Sequence, residues 1–187
     1  YQLVHAALAL RPDRRVIVVD EGEFPTDRYV VDGIAAVTGH EVRLGQDGAG
    51  GLDDVAVVVR SVIDYRSAKR ADVAADTARA YAHGALIIWD LSHAAGAVEI
   101  DLHATGVQLA VGCTYKFLNG GAGAPAFTYV ATDPPAHLPH PPWLRFAQRD
   151  HFQNGHDLPP HPATRRMLLA TPPLLALPRP WPRLPLT

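Results

Sequence analysis

The sequence predicts an α/β fold in which a mostly parallel sheet is covered by helices. Three observations predict it. Apolar, β-branched runs recur at residues 16–20, 55–59 and 85–90, each of strand length, and continuous apolar strands are those buried on both faces. Segments with helical spacing lie between them, at 28–37 and 70–83, and strand–helix–strand repetition implies parallel strands with crossover helices. Residues 1–132 hold only 3 of the 17 prolines, so regular structure is uninterrupted there.

Each element has a local reason. Tyr1-Gln2-Leu3-Val4-His5 opens inside an amphipathic pattern, as if the chain began partway through a larger protein. Val16-Ile17-Val18-Val19-Asp20 is a buried strand that ends in an acid. Residues 28–37 form the next helix. Val55-Ala56-Val57-Val58-Val59 is the second strand. In the helix over 70–83, Val73, Thr77, Ala80 and Tyr81 fall near one face, and Gly84 stops it. Ala85-Leu86-Ile87-Ile88-Trp89-Asp90 is the third strand, again closed by an acid. Residues 108–113 and 126–130 are shorter strands. Residues 133–187 hold the other 14 prolines and read as a mostly irregular segment. The expected division is therefore a core at 1–132 and a Pro-rich segment at 133–187.

Composition excludes several classes. With 17 Lys plus Arg against 19 Asp plus Glu, the net charge is -2, too small a field to collect nucleic acid or an anionic membrane. A single cysteine, Cys113, excludes an internal disulfide and a multi-thiolate zinc site. No apolar run has the length of a membrane span, and the N-terminus lacks the pattern of a signal peptide. A cytoplasmic protein is the default expectation. The late histidines 137, 140, 151, 156 and 161 lie in Pro-rich sequence without a helical i, i+4 pair, so no metal site is expected.

Two stretches carry chemistry. The first is Asp90-Leu91-Ser92-His93-Ala94-Ala95-Gly96. A carboxylate at the end of a buried strand either faces a ligand there or caps the following segment. The second is Cys113-Thr114-Tyr115-Lys116-Phe117-Leu118-Asn119-Gly120-Gly121-Ala122-Gly123. Lys116, between a strand and a glycine loop, is either a surface side chain or an amine able to attack a carbonyl carbon. The glycines fit neither a Walker A nor a dinucleotide pattern. Together, an acid that can pair with a pyridinium nitrogen and a lysine that can hold an aldehyde are what pyridoxal 5'-phosphate (PLP) requires.

These two segments, 26 positions apart from Asp90 to Lys116, resemble kynureninase, a family of fold type I PLP enzymes near the class V aminotransferases. Glu23-Phe24-Pro25-Thr26-Asp27-Arg28-Tyr29 is similar to that family's Phe-Pro-Thr-Asp-x-Tyr, and Ser61, 29 positions ahead of Asp90, matches its strand-end serine. The resemblance implies a fold type I large domain, incomplete here, that binds PLP and hydrolyses L-kynurenine or 3-hydroxykynurenine to anthranilate or 3-hydroxyanthranilate and L-alanine, in a homodimer. It implies Lys116 as the cofactor-bearing lysine, Asp90 as partner of the ring nitrogen, and Tyr115 as phosphate ligand and proton-transfer assistant. Phe24 would lie against the cofactor ring, with Asp27, Ser61 and His93 in the pocket. Trp143 and Thr171, the latter in Ala170-Thr171-Pro172-Pro173, would also reach the cofactor.

The chain departs from the family in places. Leu144-Arg145-Phe146 follows Trp143 where the family has Gly and His, and residues 178–187 have no family counterpart. A first phosphate-binding turn and the small domain with its carboxylate-binding arginine are not matched by any segment. The alternatives are a cysteine desulfurase-like enzyme, against which Cys113 is too strand-like to be a mobile thiol, and a non-catalytic truncated remnant.

Overall fold

A computed structural model describes residues 1–45, 51–131, His161 and Met167. Along the chain run α1 (Gln2–Ala9), β1 (Val16–Val19), α2 (Pro25–Thr38), β2 (Glu41–Leu44), β3 (Val55–Ser61), α3 (Val73–Ala82), β4 (Leu86–Asp90), β5 (Leu109–Cys113) and β6 (Ala126–Val130). The six strands form one sheet in the order β2-β1-β3-β4-β5-β6. Every neighbouring pair is parallel except β5 with β6.

Strand side chains alternate between two apolar layers. Ile17, Val19, Leu86 and Ile88 face one layer with Leu3, Val4 and Leu8 of α1 and Val31 and Ile34 of α2. Met167 joins that layer from the Pro-rich part of the sequence. Val16, Val18, Ile87 and Trp89 face the other, with Val73 and Ala80 of α3. This two-sided covering is why the three runs lack a polar alternation. Trp89 is completely buried, and its indole N–H donates to the Thr77 hydroxyl at 2.9 Å, tying β4 to α3.

Boundaries moved where caps decide them. α2 starts at Pro25, three residues earlier than the hydrophobic spacing indicates, because proline suits the first helical position. α3 starts at Val73 because Asp72 accepts a hydrogen bond from the Ala75 N–H at 3.0 Å. β2 has no counterpart in the sequence reading. It is four residues long, lies at the sheet edge and has no fully buried residue, with only Val42 packed partly against the core, so its pairing with β1 is what reveals it.

Candidate active site

The carboxyl ends of four parallel strands meet at one edge of the sheet. β1 runs into the turn that carries Glu23 and Phe24, β3 ends at Ser61, β4 ends at Asp90, and β5 leads within three residues to Lys116. This is where open α/β sheets place ligands. Ser61 and Asp90 are register partners on β3 and β4, which explains their sequence separation: one crossover through α3 returns the chain beside its start.

Asp90 is 6% exposed. Its Oδ1 accepts from the Ser92 N–H at 2.8 Å and from the Ser92 hydroxyl at 2.5 Å, and its Oδ2 lies 3.4 Å from the Ser61 hydroxyl. The sequence left two roles open for Asp90, and the fold allows both: one oxygen caps the following turn while the other points to the site. Asp27, in the first turn of α2, hydrogen-bonds Asp90. Burial, then the charges of Asp90 and Glu23, push Asp27 up to a pKa of about 7. A helix N-terminus favours an anion by only about 0.3–1 kcal/mol, less than one decade of proton affinity, so burial and like charge win. Two carboxyl groups in such contact share a proton, and Asp27 is the one that holds it.

Lys116 reaches the same pocket from the loop after β5. Its Nζ lies 3.0 Å from His93 Nε2, 5.4 Å from the centre of the Phe24 ring and 5.6 Å from that of Tyr115. Burial, and then the Lys116 charge, pull His93 below the ordinary imidazole pKa, so Nε2 is available as an acceptor. Tyr115 is 49% exposed at the pocket rim. Gly96 carries the Asp90 loop under the Lys116 loop: its φ is +84°, and a Cβ there would lie 2.8 Å from the Phe117 carbonyl oxygen.

Of the residues the sequence singled out, Phe24, Asp27, Ser61, Asp90, His93, Tyr115 and Lys116 converge. Trp143 and Thr171 lie outside the described residues. Two neighbours were not singled out. Tyr65 packs edge-on against Phe24 at 5.1 Å and stacks with His93 at 6.3 Å, closing an aromatic wall. Glu23 is 5% exposed, and its carboxylate accepts from the Ser61 N–H at 2.6 Å, the Ser61 hydroxyl and the Phe24 N–H at 2.9 Å. Burial raises the Glu23 pKa against those bonds, which lower it. A charged side chain before an apolar ring reads as a solvated turn, so no sequence signal marked Glu23.

Oxygens of Glu23, Asp27 and Asp90 lie within 4.8 Å of one another, a spacing that could also hold a cation. The rest of the site suits an organic cofactor better. An amine facing an aromatic ring, together with a pair of acids in hydrogen-bond contact, matches an aldehyde, a flat heterocycle and a basic ring nitrogen.

No family model matches the chain. Its architecture is that of the large domain of fold type I PLP-dependent enzymes. It superposes on a cysteine desulfurase from Escherichia coli with a TM-score of 0.70 and 14% identity, covering 94% of this chain and 47% of that one. On a cystine C–S lyase in complex with its product cysteine persulfide the TM-score is 0.69 at 17% identity, covering 85% of this chain and 46% of that one. By sequence the chain is a homologue of the kynureninases. It is 43% identical to kynureninase of Deinococcus radiodurans over 186 residues, 95% of this chain and 44% of that protein. It is 37% identical to that of Pseudomonas fluorescens over 187 residues, 95% of this chain and 45% of that protein. The chain thus spans somewhat under half the length of these relatives. Among the described residues, no helix is long and apolar enough to cross a membrane.

Proposed function

We propose that this chain is the cofactor-binding core of a PLP-dependent enzyme that hydrolyses L-kynurenine, or its 3-hydroxy form, to the anthranilate and L-alanine. Its core is residues 1–132, and the complete protein works as a cytoplasmic homodimer. The observation that carries the reading is the convergence of Lys116 with the Asp27–Asp90 pair and the Phe24 ring, in a chain homologous to kynureninases.

The donor set fits the cofactor. Lys116 Nζ, the lysine amine that faces Phe24, would hold the cofactor's aldehyde carbon. Asp90 and Asp27 would pair with its ring nitrogen, the proton on Asp27 being the one such a base takes up. Phe24 would lie against the ring, with His93 and Ser61 in the pocket, and Tyr115, Trp143 and Thr171 would add contacts, Tyr115 to the phosphate. When bound, PLP supplies an electron sink for the bonds around the substrate's amine-bearing carbon. Lys116 Nζ would also be the group that moves the proton at that carbon. His93 Nε2, 3.0 Å away, orients the Lys116 amine and receives a hydrogen bond from it. Overall, water delivers hydroxyl to the aryl acid and hydrogen to alanine. Buried Cys113 directs its Sγ to the Ser92 carbonyl at 3.7 Å, which argues against a mobile sulfur-accepting thiol.

The test is borohydride reduction of the PLP-treated protein, followed by peptide mapping and by turnover assays. The label is expected on Lys116, and its appearance on Lys69, the other lysine of the sequence, overturns the reading. In the complete protein carrying this segment L-kynurenine should yield a fluorescent anthranilate and Lys116→Ala should abolish it, whereas the 187-residue chain alone is expected to be inactive. Alanine formation from L-cysteine, with sulfide appearing only on addition of a thiol reductant and without kynurenine turnover, would instead establish a desulfurase.

A further inference from the structure

Glu23 is the most buried charged side chain of the site, yet none of the roles above needs it. Its two oxygens take three donors: the Phe24 N–H next to it and the N–H and hydroxyl of Ser61, 38 residues away. Phe24 and Asp27 belong to the β1–α2 turn and the first turn of α2, whereas Ser61 ends β3. The Ser61 hydroxyl in turn lies 3.4 Å from Asp90 Oδ2 on β4.

We propose that Glu23 is a positioning residue: its carboxylate clips the turn carrying Phe24 and Asp27 to the end of β3 and acts through the Ser61 hydroxyl on Asp90. The assignment rests on the PLP reading and deepens it. A serine hydroxyl has one proton to donate. While Glu23 is ionised, that proton goes to Glu23, and Asp90 keeps its lone pairs for Asp27 and for a ring nitrogen. If Glu23 is neutral, its own O–H donates to Ser61, and the serine proton turns to Asp90. The carboxylates that face Glu23 are Asp27 on α2 and Asp90 on β4, and their charges act on one another. Glu23 therefore adds negative charge behind the acid pair, which favours a protonated ring nitrogen in front of it.

The experiment uses the complete protein carrying this segment, its Glu23→Gln, Glu23→Ala and Ser61→Ala variants and the Glu23→Ala/Ser61→Ala double variant. PLP affinity and the pH midpoint of the lysine-bound cofactor's absorption band are measured for each. Glu23→Gln removes the charge and turns one of the two accepting oxygens into an NH2 that cannot accept from its backbone N–H, so the midpoint should move to lower pH while affinity falls by less than in Glu23→Ala. Glu23→Ala removes the clip and should weaken PLP binding by about tenfold, the range of a lost bond to a charged group. On a Ser61→Ala background the same change should cost less, because the shared path is already cut. Midpoints identical to the unaltered protein, or additive effects of the two alanine changes, overturn the proposal, as does a loss confined to thermal stability. If Glu23→Ala does not fold, the midpoint of Glu23→Gln decides alone. Absence of any lysine-bound band in the unaltered protein refutes the PLP reading and this inference with it, whereas a normal band that no variant moves refutes only this inference.

Discussion

Asp27 occupies a helix first turn, where a carboxylate is ordinarily favoured, and yet it holds its proton to a pKa of about 7 against an ordinary 3.8. The consequence for stability has a definite sign. Between those two values the folded chain binds a proton that the unfolded chain has released, so this contribution to stability declines as pH rises from about 4 to about 7. Asp27→Asn should flatten that decline, leaving the contribution of Glu23, whose pKa is raised in the same direction. Urea midpoints of the cofactor-free protein between pH 4.5 and 8 check this, and an unchanged slope in the Asn variant would contradict it. Asp90→Asn keeps the cap on Ser92 through its side-chain oxygen but loses the charge facing the site. On the proposed function, turnover of L-kynurenine by the complete protein is expected to drop by at least about 100-fold, or about 2.7 kcal/mol of lost stabilisation, with PLP still bound. Near-normal turnover would remove Asp90 from its role.

Two loops form the floor of the site, and Gly96 decides how closely they approach. A methyl group at Gly96 would meet the Phe117 carbonyl at 2.8–2.9 Å in a left-handed backbone conformation, and backbone cannot rotate away as a side chain can. Gly39, which ends α2 at φ +75°, faces open space. Both Gly→Ala changes carry the left-handed conformational cost of about 1–2 kcal/mol, but Gly96→Ala should add about 1–3 kcal/mol of overpacking and displace Lys116. Thermal melts together with PLP absorbance separate the two: Gly39→Ala should lower stability and leave the cofactor band intact, and Gly96→Ala should reduce both. Equal cofactor binding in the two variants would show that the loops move independently. β2 lies at the other extreme, an element with no intrinsic signal whose existence depends on the free edge of β1.

Across the whole molecule, stability depends on the two apolar layers staying docked on the sheet. The Trp89–Thr77 hydrogen bond crosses the second layer at its most buried point. Thr77→Val should cost about 1–3 kcal/mol, because the indole N–H is then buried without an acceptor. Adding Trp89→Phe removes the orphaned donor, so the pair should be coupled by at least about 0.5 kcal/mol in a double-mutant cycle of denaturation midpoints. Strict additivity would mean that water or another acceptor already serves the indole.

The alternation of β-branched runs with amphipathic segments was sufficient to read β1, β3, β4 and α3, since both signals are local. Asp90 and Lys116 were legible because each combines an ionisable group with a place where such a group is costly, a buried strand end or a strand-to-glycine turn. Phe24, Asp27, Ser61 and His93 were legible only through likeness to a family, since no spacing rule distinguishes them. Glu23 and Tyr65 were not legible, because what makes them part of the site is contact with residues 38 and 28 positions away in sequence, Ser61 and His93. By itself the sequence determined the alternation of elements, the two-sided burial of the sheet and the presence of an acid and an amine at strand ends. Only the tertiary structure decided that Asp27 keeps a proton, that Glu23 is buried and that Lys116 faces Phe24, because desolvation and the distance between charges arise only when separate strands are brought side by side.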